Sequence, residues 1–247
     1  MLPPGEFPWL LFAAAFVTGG VVKGTLGVGL PLVAVPLLTL GLPVSKAIGM
    51  LVAPVLISNL VQAAEGGQLR ASLWRFRHLL VAQLVLTLLT VRLTLSMSVQ
   101  QLNATVALAV LVAVALMTLR PNLRVGPARE RWLGPVVGTA SGVLGGVSSL
   151  TGPALITYLM GLGLARERFV ASISTIYLAG ALPLYGAMLW YGRIGMAELV
   201  LSVAGLLPMA LGLALGRALR HRLNESLFRG ILLAFLCGLA ALLMFKK

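Results

Sequence analysis

Two apolar stretches in this chain are too long to cross a membrane once and too short to cross it twice. The first runs 34 residues from Trp9 to Leu42, and the second, 133–164, is of similar length. As one straight helix the first would extend about 51 Å against a hydrocarbon core of about 30 Å. Each is interrupted by glycines and then a proline: Gly20, Gly24, Gly27 and Pro31, then Gly138, Gly142, Gly145 and Pro153. Each goes on to Gly-Leu, at Gly41-Leu42 and Gly163-Leu164. The register is 118 at the glycines and 122 at the prolines, which places a four-residue insertion in the second copy, within Gly146 to Gly152. Irregular backbone at membrane depth is tolerated only where protein or a water-filled cavity surrounds it. A duplicated, glycine-broken hydrophobic segment therefore points to the binding site of a secondary transporter.

The remaining sequence fits a polytopic membrane protein. The chain is 59% hydrophobic and 10% charged, too little polarity to clothe a soluble domain of 247 residues. Eight apolar segments are predicted, at 9–42, 46–64, 78–97, 101–119, 133–164, 168–191, 196–216 and 226–245. The expected fold is all-α: two homologous four-segment halves, 1–122 and 133–247, joined by a basic loop at 123–132. No basic stretch precedes the first apolar run, which is therefore expected in the mature protein rather than in a cleaved leader. The net charge of +13 sits in short arginine clusters between apolar runs, with no basic face or aromatic stacking set, and this excludes nucleic acid as a partner. Cys237, the single cysteine, can form no internal disulfide.

Lysine and arginine counts weigh two topologies. If all eight segments cross, the cations divide almost evenly, ten against seven. If segments one and five are re-entrant, Arg70, Arg75, Arg77, Arg120, Arg124, Arg129, Arg131, Arg166, Arg168, Arg217, Arg220, Arg222 and Arg229 fall on one side. Lys46, Arg193, Lys246 and Lys247 fall on the other. The second division obeys the positive-inside rule and makes the two halves inverted in topology.

The repeated segments also carry a resemblance. Gly20-Val-Val-Lys-Gly24-Thr-Leu-Gly27-Val-Gly29, with Pro31, Pro36 and Gly41-Leu42-Pro43-Val-Ser-Lys46-Ala47, resembles the sulfite exporter TauE/SafE family. The second copy, Gly138 to Ser174, is similar but looser, with Val147-Ser-Ser-Leu-Thr151 before Gly152-Pro153. The arginine-rich end of segment seven, from Gly216 and Arg217 to Arg222, is also similar. Leu30 departs from the family's run of three glycines. The resemblance implies a multi-pass carrier in the bacterial inner (plasma) membrane that moves sulfite, organosulfonates or related carboxylates.

Lys23 is the sharpest candidate for contacting such an anion. A cation well inside the membrane costs on the order of 3 kcal/mol or more, so it faces a cavity or partner, or snorkels to water. Beside it, helix N-termini at the breaks would offer free N–H groups to an anion. Arg92 offers a bidentate grip on a carboxylate or sulfonate, or snorkels from the end of segment three. The glycines of the breaks (Gly24, Gly27, Gly29, Gly145, Gly146, Gly152) serve close backbone approach to a ligand or close helix packing. Thr25, Ser58, Asn59, Gln62, Ser148, Ser149, Thr151, Ser172, Ser174, Thr175 and Tyr177 either gather into a polar site or act as helix–helix glue.

What is missing argues too. The chain has no aspartate, and its six glutamates and two histidines lie near segment ends. Neither a catalytic set nor a metal cluster can be assembled in the bilayer, so the chain is expected not to be an enzyme and to need no metal or cofactor. Coupling to H+ or to Na+ stays open, as do a homo-oligomeric state and the rival reading of an anion channel, or of a carrier for a non-sulfur organic acid.

Overall fold

A computed structural model describes residues 7–65, 67–118, 124–219 and 225–244, and the described residues are helical almost throughout. The first long segment is two helices, α1 (Trp9–Leu26) and α2 (Leu30–Thr39), and the fifth is likewise α8 (Pro127–Ser148) and α9 (Gly152–Gly161). Between them lie α3 (Val44–Gly49), α4 (Val52–Glu65), α5 (Leu69–Arg75), α6 (Arg77–Thr94) and α7 (Val99–Thr118). After them come α10 (Arg166–Trp190), α11 (Met196–Ala204), α12 (Leu206–Leu219) and α13 (Glu225–Met244). Among the described residues six helical stretches, counting α3–α4 and α11–α12 as one each, are long and apolar enough to cross a membrane. The basic stretch expected as a loop at 123–132 is helical from Pro127. Residues 119–123, Arg220, Arg222, Lys246 and Lys247, which enter the charge count, lie outside the described residues.

Prolines set the interruptions. A proline lacks the N–H that would bond the carbonyl four residues back, and its ring crowds that carbonyl. The helix is disturbed four residues before Pro54 (at Met50), Pro31 (at Gly27) and Pro153 (at Ser149) and three before Pro208 (at Gly205), while Pro36, Pro135 and Pro183 are carried inside helices. At Met50 and Gly205 the chain continues in the same direction as one apolar span. At Gly27 and Ser149 it reverses. Gly27 (φ 82°) and Gly29 (φ 103°) make the first reversal in the left-handed region that glycine enters without strain. Ser149 (φ 61°) makes the second.

The reversals are hairpins. Gly19 on α1 packs against Leu30 and Ala34 of α2, so α2 folds back along α1. The N–H of Val125, just ahead of α8, donates to the Gly161 carbonyl at the end of α9 (2.8 Å). Each return helix has ten residues, about 15 Å, half of the hydrocarbon core. The Arg193 guanidinium donates to the Leu95 carbonyl (2.8 Å), and Gly49 lies against Ile194 and Glu198. With eight crossings, the Val125–Gly161, Arg193–Leu95 and Gly49–Ile194 contacts would each join opposite membrane faces. Hairpins put each pair at one end of the molecule. Lys46 and Arg193 then share one end, and the described residues Arg70, Arg75, Arg77, Arg124, Arg129, Arg131, Arg168 and Arg217 share the other.

Helices early in the chain pack on later ones: α1 lies on α12, α6 on α8, α4 on α10 and α7 on α13. The first two contacts are glycine-mediated. A Cβ placed on Gly20 would lie 2.5 Å from the Met209 carbonyl oxygen, and one on Gly24 2.5 Å from that of Leu213; Gly212 and Gly216 meet the Val17 and Val21 carbonyls in return. On α8, Gly138, Gly142 and Gly146 admit Leu79, Gln83 and Thr87 of α6 in the same manner. Such surfaces bring backbones close enough for dispersion to hold helices together without a hydrophobic drive.

The structure corrects the expected insertion between Gly146 and Gly152. Helix α8 runs unbroken to Ser148. Gly27 and Ser149 are both left-handed caps whose N–H bonds the carbonyl four back, of Lys23 and Gly145 respectively (2.8 Å each). The register of 122 therefore holds through both breaks, pairing Gly20 with Gly142 and Gly24 with Gly146. A four-residue glycine spacing recurs every helical turn, and the register of 118 is a slip by one turn.

Candidate functional site

The two hairpin tips meet at one small cavity. Gly29, Pro31 and Leu32 of the first tip, and Ser149 to Pro153 with Ile156 of the second, form two walls. The other walls come from α4 (Val55, Asn59) and α10 (Tyr177, Gly180, Ala181, Leu184). Its volume is about 30 Å³, room for one or two waters. The pairing of α4 with α10 therefore walls the space between the tips.

Both return helices begin at this cavity, and neither N-cap supplies a side-chain hydrogen bond. A helix N-terminus leaves up to four N–H groups without intrahelical partners and carries roughly half a positive charge. Proline at the second position of each helix removes one donor and leaves the rest. The Tyr177 hydroxyl beside Gly152 is buried and has no hydrogen-bond partner among the described residues. Two positive helix ends and an unused hydroxyl on one cavity form an environment for an anion.

Lys23 stands one hydrogen bond behind the wall. It is 2% exposed, so its ammonium does not reach the surface, and it donates to Asn59 Oδ1 at 2.7 Å. An ammonium has three donors. Lys23 makes no ion pair among the described residues. The carbonyl end of α1 favours a cation there, beside the cavity that Asn59 lines.

Of the other sequence candidates, Gly29, Asn59, Ser149, Thr151, Gly152 and Tyr177 line the cavity. Gln62 braces it from behind, donating weakly to the Gly27 carbonyl (3.5 Å) and accepting from Ser174 (3.1 Å). Gly145 sits beneath Thr151, while Gly24 and Gly146 are helix contacts. Thr25, Ser58, Ser148 and Thr175 bond carbonyls of their own helices, and Ser172 pairs with Ser72 (3.3 Å). Arg92 is exposed near the end of α6 and does not join the lining. The sequence reading missed Gly180 and, behind it, Gln83, whose amide is buried without a partner against that glycine. A lone glutamine in an apolar helix was the available signal.

Residues 11–243 match the family model described as Sulfite exporter TauE/SafE. No curated protein and no solved structure matches the chain. The family match spans both hairpins and every crossing helix. The chain therefore belongs to the sulfite exporter TauE/SafE family, whose members are multi-pass membrane transporters and not enzymes.

Proposed function

We propose that this protein is a secondary transporter, an exporter or facilitator, of small anions such as sulfite, organosulfonates or related carboxylates in the bacterial inner membrane. The observation that carries this reading is the convergence of two uncapped helix N-termini on one cavity backed by the ammonium of Lys23, which has no counter-charge among the described residues. Loading and release at a site between the two tips would proceed by separation of its walls on one side at a time, as alternating access demands. The packing of α1 on α12 and α8 on α6 supports two halves inverted in the membrane that rock about the shared tips. Proton coupling would run through the substrate's own protonation, and sodium coupling through carbonyls at the breaks.

Reconstituted proteoliposomes given sulfite, sulfoacetate and a small carboxylate test the reading, with Lys23→Ala as comparison. Saturable uptake and counterflow of one anion, lost in the variant, is the expected result. Flux that neither saturates nor shows counterflow would make the protein a channel, and sulfite uptake unchanged by Lys23→Ala would remove the lysine from the site.

A further inference from the structure

A second, larger cleft of about 170 Å³ lies at the arginine-rich end, between the start of α6 and the start of α8. Its rim carries Arg75, His78 and Arg131, and its floor is Phe76, Leu79 and Tyr158. Glu130 also lines it, but both carboxylate oxygens are engaged by Arg75, at 2.7 and 3.0 Å. That pair of hydrogen bonds to the Glu130 carboxylate holds the Arg75 guanidinium above its ordinary pKa range. Arg131 makes no ion pair among the described residues. Arg77 donates to His78 Nε2 at 3.3 Å. The cleft therefore keeps a net positive charge with unused donors.

The floor and a wall of the inner cavity belong to one apolar cluster. Phe76, Leu79, Tyr158 and Tyr177 belong to one hydrophobic cluster, and Tyr177 lines the cavity. One turn beyond Leu79 on α6, the unpartnered amide of Gln83 abuts Gly180, also in the cavity wall. Cleft, apolar cluster, buried amide and cavity thus follow one another along the face of α6.

We infer that this cleft is an outer binding site for a small oxyanion, in series with the inner cavity through the seam of α6, α8 and α10. The inference rests on the transport reading for what the anion does next, but the occupancy of the cleft is tested without transport.

In a Cys237→Ala background, Gly134→Cys places a thiol in the cleft; its Cβ would meet Tyr158 Oη at 3.7 Å and Leu79 at 3.8 Å, ordinary contacts. Labelling rates with an anionic sulfonate-bearing and a cationic trimethylammonium-bearing methanethiosulfonate are compared in phosphatidylcholine vesicles. Normalised to a free thiol, the anionic reagent is expected to lead by about tenfold, the low end of what a focused local potential gives. Millimolar sulfate should slow it, and Arg131→Gln with His78→Gln should abolish both effects. Glu130→Gln, which releases Arg75, should enlarge the lead, and His78→Cys serves as a second reporter position. Equal rates for the two reagents, or no effect of sulfate, would overturn the inference. Protection by phosphatidylglycerol without protection by sulfate would also overturn it, making the cleft a lipid headgroup site. Expected labelling in a protein that carries no sulfite would sink the transport reading alone; sulfite transport without anion preference in the cleft would sink this one alone.

Discussion

Lys23 Nζ and Asn59 Oδ1 lie 2.7 Å apart, tying the last turn of α1 to the middle of α4 beside the cavity that Asn59 lines. The amide is neutral and supplies the lysine no counter-charge. Replacing Asn59 by Asp would supply a resident carboxylate in place of a transported anion. Asn59→Asp is expected to keep or raise the thermal midpoint while suppressing anion uptake by at least about tenfold, on the scale of a charge-assisted hydrogen bond. Asn59→Ala leaves a buried cation without its partner and should cost about 3 kcal/mol, read as a lowered midpoint in detergent.

Tyr177 makes the opposite case. Its hydroxyl is buried and unpartnered among the described residues, which penalises the unloaded protein by about 1–3 kcal/mol. Tyr177→Phe should therefore leave the midpoint unchanged or raise it, while increasing KM for the transported anion. A fall in stability with unchanged KM would show that the hydroxyl serves the fold and not the ligand.

Close approach of α1 to α12 predicts sharp glycine selectivity. Gly24→Ala and Gly212→Ala drive a methyl into the Leu213 and Val17 carbonyls and should each cost about 1–3 kcal/mol. Gly186 has open space around its missing Cβ, so Gly186→Ala is expected to be neutral or to stabilise by up to about 1 kcal/mol. Thermal unfolding of the three variants side by side checks the contrast.

The hairpins fix sidedness. Single cysteines at Lys46, Ser96 and Arg193 should react with an impermeant maleimide from one face of right-side-out vesicles, and cysteines at Arg124 and Arg168 only after permeabilisation, or the reverse. Labelling of Lys46→Cys and Arg168→Cys from the same face would contradict the hairpin topology.

The breaks were legible in the sequence because proline acts at a fixed distance: whatever surrounds Pro31 or Pro153, the carbonyl four residues back loses its partner. Lys23 was legible because a buried ammonium is costly anywhere in a bilayer. The register was misread because glycines spaced by four look alike one turn away. The hydroxyls were harder. Thr25, Ser58, Ser148 and Thr175 satisfy themselves on their own helices, an option independent of which way a residue faces. In helices apolar on every side, no periodicity marks the inner face, so Gln83 and Gly180 stayed hidden until α6 and α10 were seen together.

The packing of early helices on late ones sets an order of assembly. When α8 leaves the ribosome, its partner α6 already stands in the membrane, and the second hairpin can dock at once. The first has no such host. Its Gly20 and Gly24 face must wait for α12, near the end of synthesis, while Lys23 sits among lipids with only Asn59 to receive it. Truncation before α12 would strand that hairpin, leaving an early half that inserts but never closes.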